Sequence, residues 1–236
     1  EYRFAVAAYK NYNNTTLIGE KVEHLSVTCP DVTTSFTSSS RQTGSLKLNW
    51  KPVSGADGYC IYKKNNNTGE IYVRKIVEGG STVSYQDDGL YPGESQYYRI
   101  AAYKELSGNK VLGDYTELTT YTIPMYVDGF RVENKTDKAI RVAWNKIDGI
   151  SGYKVERKLS TDSSYKVIAT VSGSNNLQFV DRNLTSGAKY NYRIRTYKNI
   201  NGSTIYSAYK SITGSTFSQT DINNITVSYT HLRAHE

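Results

Sequence analysis

Little in this chain suits chemistry. Its 236 residues hold two cysteines, one methionine, four prolines and three histidines. Two cysteines cannot build a disulfide-dense scaffold, and three histidines leave little for zinc binding or imidazole catalysis. No apolar run approaches about 18 residues, which excludes a membrane-spanning helix. The patterns HExxH, CxxC and GxSxG and a glycine-rich phosphate loop are all missing. No stretch holds a 3.6-residue apolar period, so long amphipathic helices are excluded as well. Tyrosine is what the chain has in quantity: 22 residues, beside five Phe and two Trp. That aromatic bulk argues for a packed core and against a disordered chain. The 29 Lys+Arg exceed the 22 Asp+Glu, giving a net charge of +7.

An internal repeat organises the sequence. Trp50 recurs as Trp144, Gly58-Tyr59 as Gly152-Tyr153, Leu90 as Leu184 and Tyr98-Arg99-Ile100 as Tyr192-Arg193-Ile194, always 94 residues apart. The same spacing carries these positions back to Phe4-Ala5-Val6 and Tyr9-Lys10. Pro30 and Pro124 mark two module starts. The expected organisation is therefore the closing part of one module at 1–29, complete modules at 30–123 and 124–217, and the start of a further module or linker at 218–226. Glu1-Tyr2 reads as the interior of a strand, so the chain is taken to begin within a module. Val227–Glu236 reads VSYTHLRAHE, which resembles translated sequencing-adapter codons; the other reading is a natural strand of the next module.

A 94-residue unit suits a small domain and exceeds the repeat length of helical solenoids. Ser45–Trp50 and Ile140–Trp144 alternate apolar and polar residues, as do Tyr153–Lys158 and Tyr190–Tyr197. Turn residues cluster between these runs. Short alternating strands at that spacing predict an all-β sandwich or barrel. Trp50, Tyr59, Trp144, Tyr153, Tyr190 and Tyr192 fall at inward phases and form the expected core. Tyr62, Tyr103 and Tyr197 fall outward.

On these residues each unit resembles a fibronectin type III module, particularly those of bacterial secreted and cell-surface proteins. The early Trp looks like the strand B core residue, and Gly-Tyr opens strand C. The run Leu184-x-x-Gly187-x-x-Tyr190-x-Tyr192-Arg193-Ile194 looks like the E–F turn entering strand F. The resemblance implies tandem immunoglobulin-like sandwiches, with strands A, B and E facing C, C′, F and G. It also implies a tyrosine corner at Tyr190. The first complete module departs from the pattern: Gln96 stands at that corner, and either Gln96 or Tyr97 is left to make the contact.

No catalytic residue, metal ligand or cofactor site is expected. His24 reads as a solvent-facing strand residue. Asp87-Asp88 and Asp181 read as turn residues bonding their own backbone, with a weak cation site as the remaining option. Cys29 lies in a linker, and Cys60 falls outward on strand C, so two separate thiols are expected.

Charge distinguishes the modules. Residues 30–123 hold 10 basic and 10 acidic groups, while residues 124–217 hold 15 and 7. Alternation puts Lys154 and Lys158 outward on strand C of the second complete module, with Glu156 between them. It puts Arg193, Arg195 and Tyr197 outward on neighbouring strand F. These five residues are the expected docking face for an acidic cell-wall polymer or glycan; the other reading is a charged, soluble sheet face. Nucleic acid is not an expected partner, because base stacking needs more aromatics on that surface. The resemblance implies a non-catalytic spacer or adhesion array of a larger extracellular or cell-surface bacterial protein. The alternative is an accessory region of a secreted polysaccharide-degrading enzyme.

Overall fold

The computed structural model describes residues 2–224, so Val227–Glu236 lies outside the described residues. The chain opens with two short antiparallel pairs. β1 (Tyr2–Val6) pairs with β4 (Val22–Ser26), and β2 (Tyr9–Tyr12) with β3 (Thr15–Ile18).

Two β-sandwiches follow. In the first, β5 (Phe36–Ser39), β6 (Ser45–Trp50) and β9 (Ser84–Asp88) form a three-stranded sheet in the order β5-β6-β9. The facing sheet contains β7 (Gly58–Lys64), β8 (Ile71–Glu78), β10 (Ser95–Leu106), β11 (Asn109–Leu112) and β12 (Thr116–Tyr121). Its order is β11-β10-β7-β8, with β12 also pairing β10. In the second sandwich, β13 (Arg131–Lys135), β14 (Ile140–Ala143) and β17 (Gln178–Asp181) make the smaller sheet. The larger one holds β15 (Gly152–Leu159), β16 (Lys166–Ser172), β18 (Lys189–Ile200), β19 (Ser203–Tyr206) and β20 (Lys210–Ser215). All pairings are antiparallel. This is the two-sheet arrangement that the resemblance implies, with the last strand broken into two pieces. A short helical segment, 219–224, follows β20. Contacts divide the chain into two compact units, one carrying β1–β12 and the other β13–β20.

The register repeats as faithfully as the sequence. Phe4 pairs with His24, Tyr98 with Leu118 and Tyr192 with Ile212, each pair 94 residues from the next. His24 is exposed on β4.

Alternation along β6 and β14 sends Leu46, Leu48, Ile140 and Val142 into the cores, where they are fully buried. Trp50 and Trp144 are buried against Tyr59 and Tyr153, with ring centroids 5.3 and 5.1 Å apart. Such tilted aromatic pairs add specific geometry to the apolar area they bury. Each core tyrosine also ties two loops. The Tyr59 hydroxyl accepts from Val53 N at 2.8 Å and donates to Gly80 O at 2.9 Å. Tyr153 does the same with Ile147 N and Ser174 O, both at 3.1 Å.

A second buried frame corrects the expectation that Asp87 and Asp181 are turn residues. Both lie on strands, β9 and β17, and both are buried. Asp87 accepts from the Tyr98 hydroxyl and from Arg74, with Lys63 Nζ at 3.5 Å. Asp181 accepts from the Tyr192 hydroxyl at 2.8 Å and from Arg157 Nη1 at 2.7 Å through both oxygens. A buried carboxylate needs such partners, since an unpaired charge would be strongly disfavoured. The signal was in the repeat: Lys63/Arg157, Asp87/Asp181 and Tyr98/Tyr192 recur together.

At the corner, the Tyr190 hydroxyl accepts from Thr185 N at 2.9 Å. Gln96 is buried at the equivalent position. Tyr97 goes elsewhere, its hydroxyl accepting from Arg99 Nε at 2.8 Å.

Candidate anion-binding face

The outer face of the larger sheet in the second sandwich is built on β15 and β18. Their register sets Lys154 opposite Arg195 and Glu156 opposite Arg193, with Lys158 opposite Asn191. Side chains alternate across a strand, so the four cations and Glu156 share one face. Tyr197 lies on that face as well, opposite Tyr206 of β19. The structure thus brings Lys154, Lys158, Arg193, Arg195 and Tyr197 together on one side of one sheet.

Their state differs from that of an open charged surface. Arg193 and Arg195 stand in a ladder of tyrosines. The Arg193 Cζ lies 4.1 Å from the Tyr165 ring centre and 4.0 Å from that of Tyr209. The Arg195 Cζ lies 4.6 Å from Tyr209 and 3.8 Å from Tyr206. Guanidinium planes pack well on aromatic faces, and each contact contributes about 0.5–1 kcal/mol where partly exposed. Lys154 Nζ is 5.4 Å from the Tyr206 ring, and Lys158 Nζ is 5.4 Å from Tyr165.

Glu156 lies at the base of the ladder and is buried. Its Oε2 accepts from Arg193 Nε at 2.7 Å and Nη2 at 2.5 Å, and its Oε1 accepts from the Tyr209 hydroxyl at 2.8 Å. Burial works against the charge of Glu156. Tyr209 and Arg193 outweigh it and hold the carboxyl below its ordinary value. Burial and the bond to Glu156 push the Tyr209 hydroxyl up, so it remains a donor.

Tyr197 has a structural task. A Cβ at Gly152 would lie 2.8 Å from the Tyr197 hydroxyl oxygen and 2.1 Å from Val171 O. Only glycine fits beneath that ring, and Gly58 fits beneath Tyr103 in the same way, where a Cβ would meet the hydroxyl at 2.6 Å.

The first sandwich presents a different face. Cys60 stands opposite Ala101, and Tyr62 opposite Arg99. Cys60 falls outward in phase, yet it is only 4% exposed. Tyr103 is likewise outward in phase but buried. Alternation tells which side a residue takes and not what covers it there. Burial pushes the Cys60 thiol up, with Lys110 opposing. Tyr62 packs edge-on against Tyr115 at 5.3 Å, and Arg99 pairs with Glu117 at 2.9 Å. Cys29 is exposed, and both thiols are free.

Three ladder members were not expected: Tyr165, Tyr206 and Tyr209. Tyr165 and Tyr209 lie outside strands, so no alternation marks them. Tyr206 was open to detection through its hairpin pairing with Tyr197.

The fibronectin type III domain model matches residues 125–213. A two-domain fibronectin type III segment from chicken tenascin aligns with 79% of this chain and 99% of its own, at 21% identity and a TM-score of 0.52. The fold is a tandem of fibronectin type III β-sandwiches. The FN1–FN3 domains of chicken CNTN1 align with 86% of this chain and 72% of their own, at 15% identity and a TM-score of 0.38. Among the described residues of these sandwiches, no helix is long and apolar enough to cross a membrane, and no group of three or more His, Cys, Asp or Glu is placed to hold a metal ion.

Proposed function

We propose that this chain is a non-catalytic spacer and adhesion array of a larger extracellular bacterial protein. In this reading its second sandwich offers the face of Lys154, Lys158, Arg193, Arg195 and Tyr197 to an acidic cell-wall polymer or glycan. Fibronectin type III domains are generally non-catalytic modules. One observation carries the reading. The buried frame repeats at 94 residues down to single hydrogen bonds, while the outer sheet faces do not. Constant frame with changing face suits a string of modules that sets distance and displays surfaces. Four cations against the single carboxylate Glu156 give the second face its charge complementarity to a polyanion.

The test is retention of the full chain on a purified anionic wall polymer. Replacing all four cations of the second face by Glu should abolish retention. Replacing Lys64 and Arg99 of the first sandwich by Glu should leave it. Equal loss from both variants would mean diffuse charge attraction and overturn the docking reading. Sequence flanking the reading frame separates spacer from enzyme accessory: a wall anchor and further repeats favour the first, a glycosidase domain the second.

A further inference from the structure

We propose that Lys154 and Arg195 are the two-point receptor for a single carboxylate or sulfate group of an acidic polysaccharide. This rests on the docking reading above and narrows it to one cross-strand pair.

The four cations are not equivalent. Arg193 donates through two nitrogens to Glu156, so its charge is answered within the protein. Lys158 Nζ donates to the Asp162 carbonyl at 2.9 Å. Arg195 has neither kind of partner. Among the described residues none of its nitrogens makes a hydrogen bond or ion pair, and its Nε is buried without an acceptor. A guanidinium is a planar fork of five N–H donors suited to an oxyanion. Tyr206 and Tyr209 already fix its plane, so little freedom is lost when its terminal nitrogens meet a ligand.

Lys154 stands directly opposite Arg195 and also has no ion pair among the described residues. Like charges directly opposite across two strands are destabilising. The first sandwich has no such conflict, because Cys60 and Ala101 occupy the pair. Glu156, two residues along β15, is the nearest answering charge, and both its oxygens are already engaged. An oxyanion bound between Lys154 Nζ and the terminal nitrogens of Arg195 would relieve the repulsion and give those nitrogens an acceptor.

The ligand class follows from the aromatics. A single-stranded nucleic acid binds through bases stacked on open rings. Here the rings of Tyr165, Tyr206 and Tyr209 carry guanidinium or ammonium groups. An acidic sugar needs only its charged group recognised.

The experiment measures salt-dependent retention of the full chain on immobilised heparin, which is sulfated, and polygalacturonate, which is carboxylated. Neutral dextran and an immobilised oligonucleotide serve as references. Lys154→Gln and Arg195→Gln should each lower the slope of log affinity against log salt by about one. Arg195→Lys should restore part of the loss, and Lys64→Gln in the first sandwich, where Lys64 is exposed, should leave the slope unchanged. Lys154 makes no hydrogen bond among the described residues, so Lys154→Gln remains informative even where Arg195→Gln impairs folding. A slope unaltered in Lys154→Gln, or lowered as much by Lys158→Gln as by Arg195→Gln, would overturn the pair and leave the docking reading standing. Absence of retention on both polysaccharides would remove both. Stronger retention on the oligonucleotide than on either polysaccharide would overturn the ligand class.

Discussion

The two sandwiches share their interiors and part company at one outer sheet face. Inside, Trp50 and Trp144 pack on Tyr59 and Tyr153, and Asp87 and Asp181 receive the hydroxyls of Tyr98 and Tyr192. Outside, the first sandwich closes its face with Cys60, Ala101, Tyr62 and Tyr103, while the second builds a ladder of arginine and tyrosine on Glu156. Packing explains the asymmetry. A buried position must match neighbours on all sides at near-crystalline density, so few residue types survive there. A sheet face answers to fewer neighbours. It can hold an apolar lid or a charged ladder on the same backbone register. The net charge of the whole chain therefore describes neither sandwich: one is balanced and the other carries the excess.

The shared interior is the first place to break the comparison. Trp144→Ala should cost the second sandwich on the order of 3–5 kcal/mol, and Trp50→Ala should cost the first a similar amount. Urea unfolding followed by circular dichroism measures both; reversible unfolding with no loss of stability would contradict core placement. Phe should be milder than Ala in each, because it keeps most of the ring volume. It also removes an indole N–H that is buried without an acceptor in both sandwiches.

The carboxylate frame should separate them. Asp87 serves Lys63, Arg74 and Tyr98, whereas Asp181 serves Arg157 and Tyr192, with Ile168 where Arg74 would be. Asp87→Asn leaves two cations facing a neutral amide. Its expected cost is about 3–5 kcal/mol, and that of Asp181→Asn is nearer the lower end of this range. Each sandwich contains one tryptophan, so its fluorescence reports its own unfolding once the other is replaced by Phe. Equal costs in the two would show that Arg74 contributes nothing.

The legibility of the molecule follows the same division. Trp50, Tyr59, Trp144, Tyr153 and the strand F run were readable because core positions repeat in both identity and phase. Alternation was enough to gather Lys154, Lys158, Arg193 and Arg195, since β15 and β18 are long, regular neighbours. It failed where a neighbour comes from irregular chain. Tyr165 lies in the turn between β15 and β16, and Tyr209 in the break between β19 and β20. Neither has a phase that alternation could assign. The burial of Cys60, Tyr103 and Glu156 was hidden for the related reason that cover is a tertiary property. Asp87 misled by context: Asp-Asp-Gly reads as a turn, although both Asp still belong to β9.

The smallest effect isolates the ladder itself. The Glu156 carboxyl titrates below its ordinary value of 4.5 in the folded protein. A depressed folded value means that Glu156 adds stability above the unfolded value and loses it as pH falls through the folded one. The expected contribution is about 1 kcal/mol or less, because the Arg193 side of the pair is partly exposed. Melting temperatures of wild type and Glu156→Gln should differ fully at pH 6, and the gap should close as pH drops below 4.5. In the first sandwich Tyr62 takes the place of Glu156, and burial pushes its hydroxyl up, so that face has no counterpart to lose in acid. Asp57, held low by Glu105 N and Lys104, is common to wild type and variant and cancels from the difference. Absence of any gap at pH 6 would mean that the ladder stands on tyrosine stacking alone and that Glu156 is a bystander, and a gap that persists unchanged through the acid range would mean that Glu156 acts through something other than its charge.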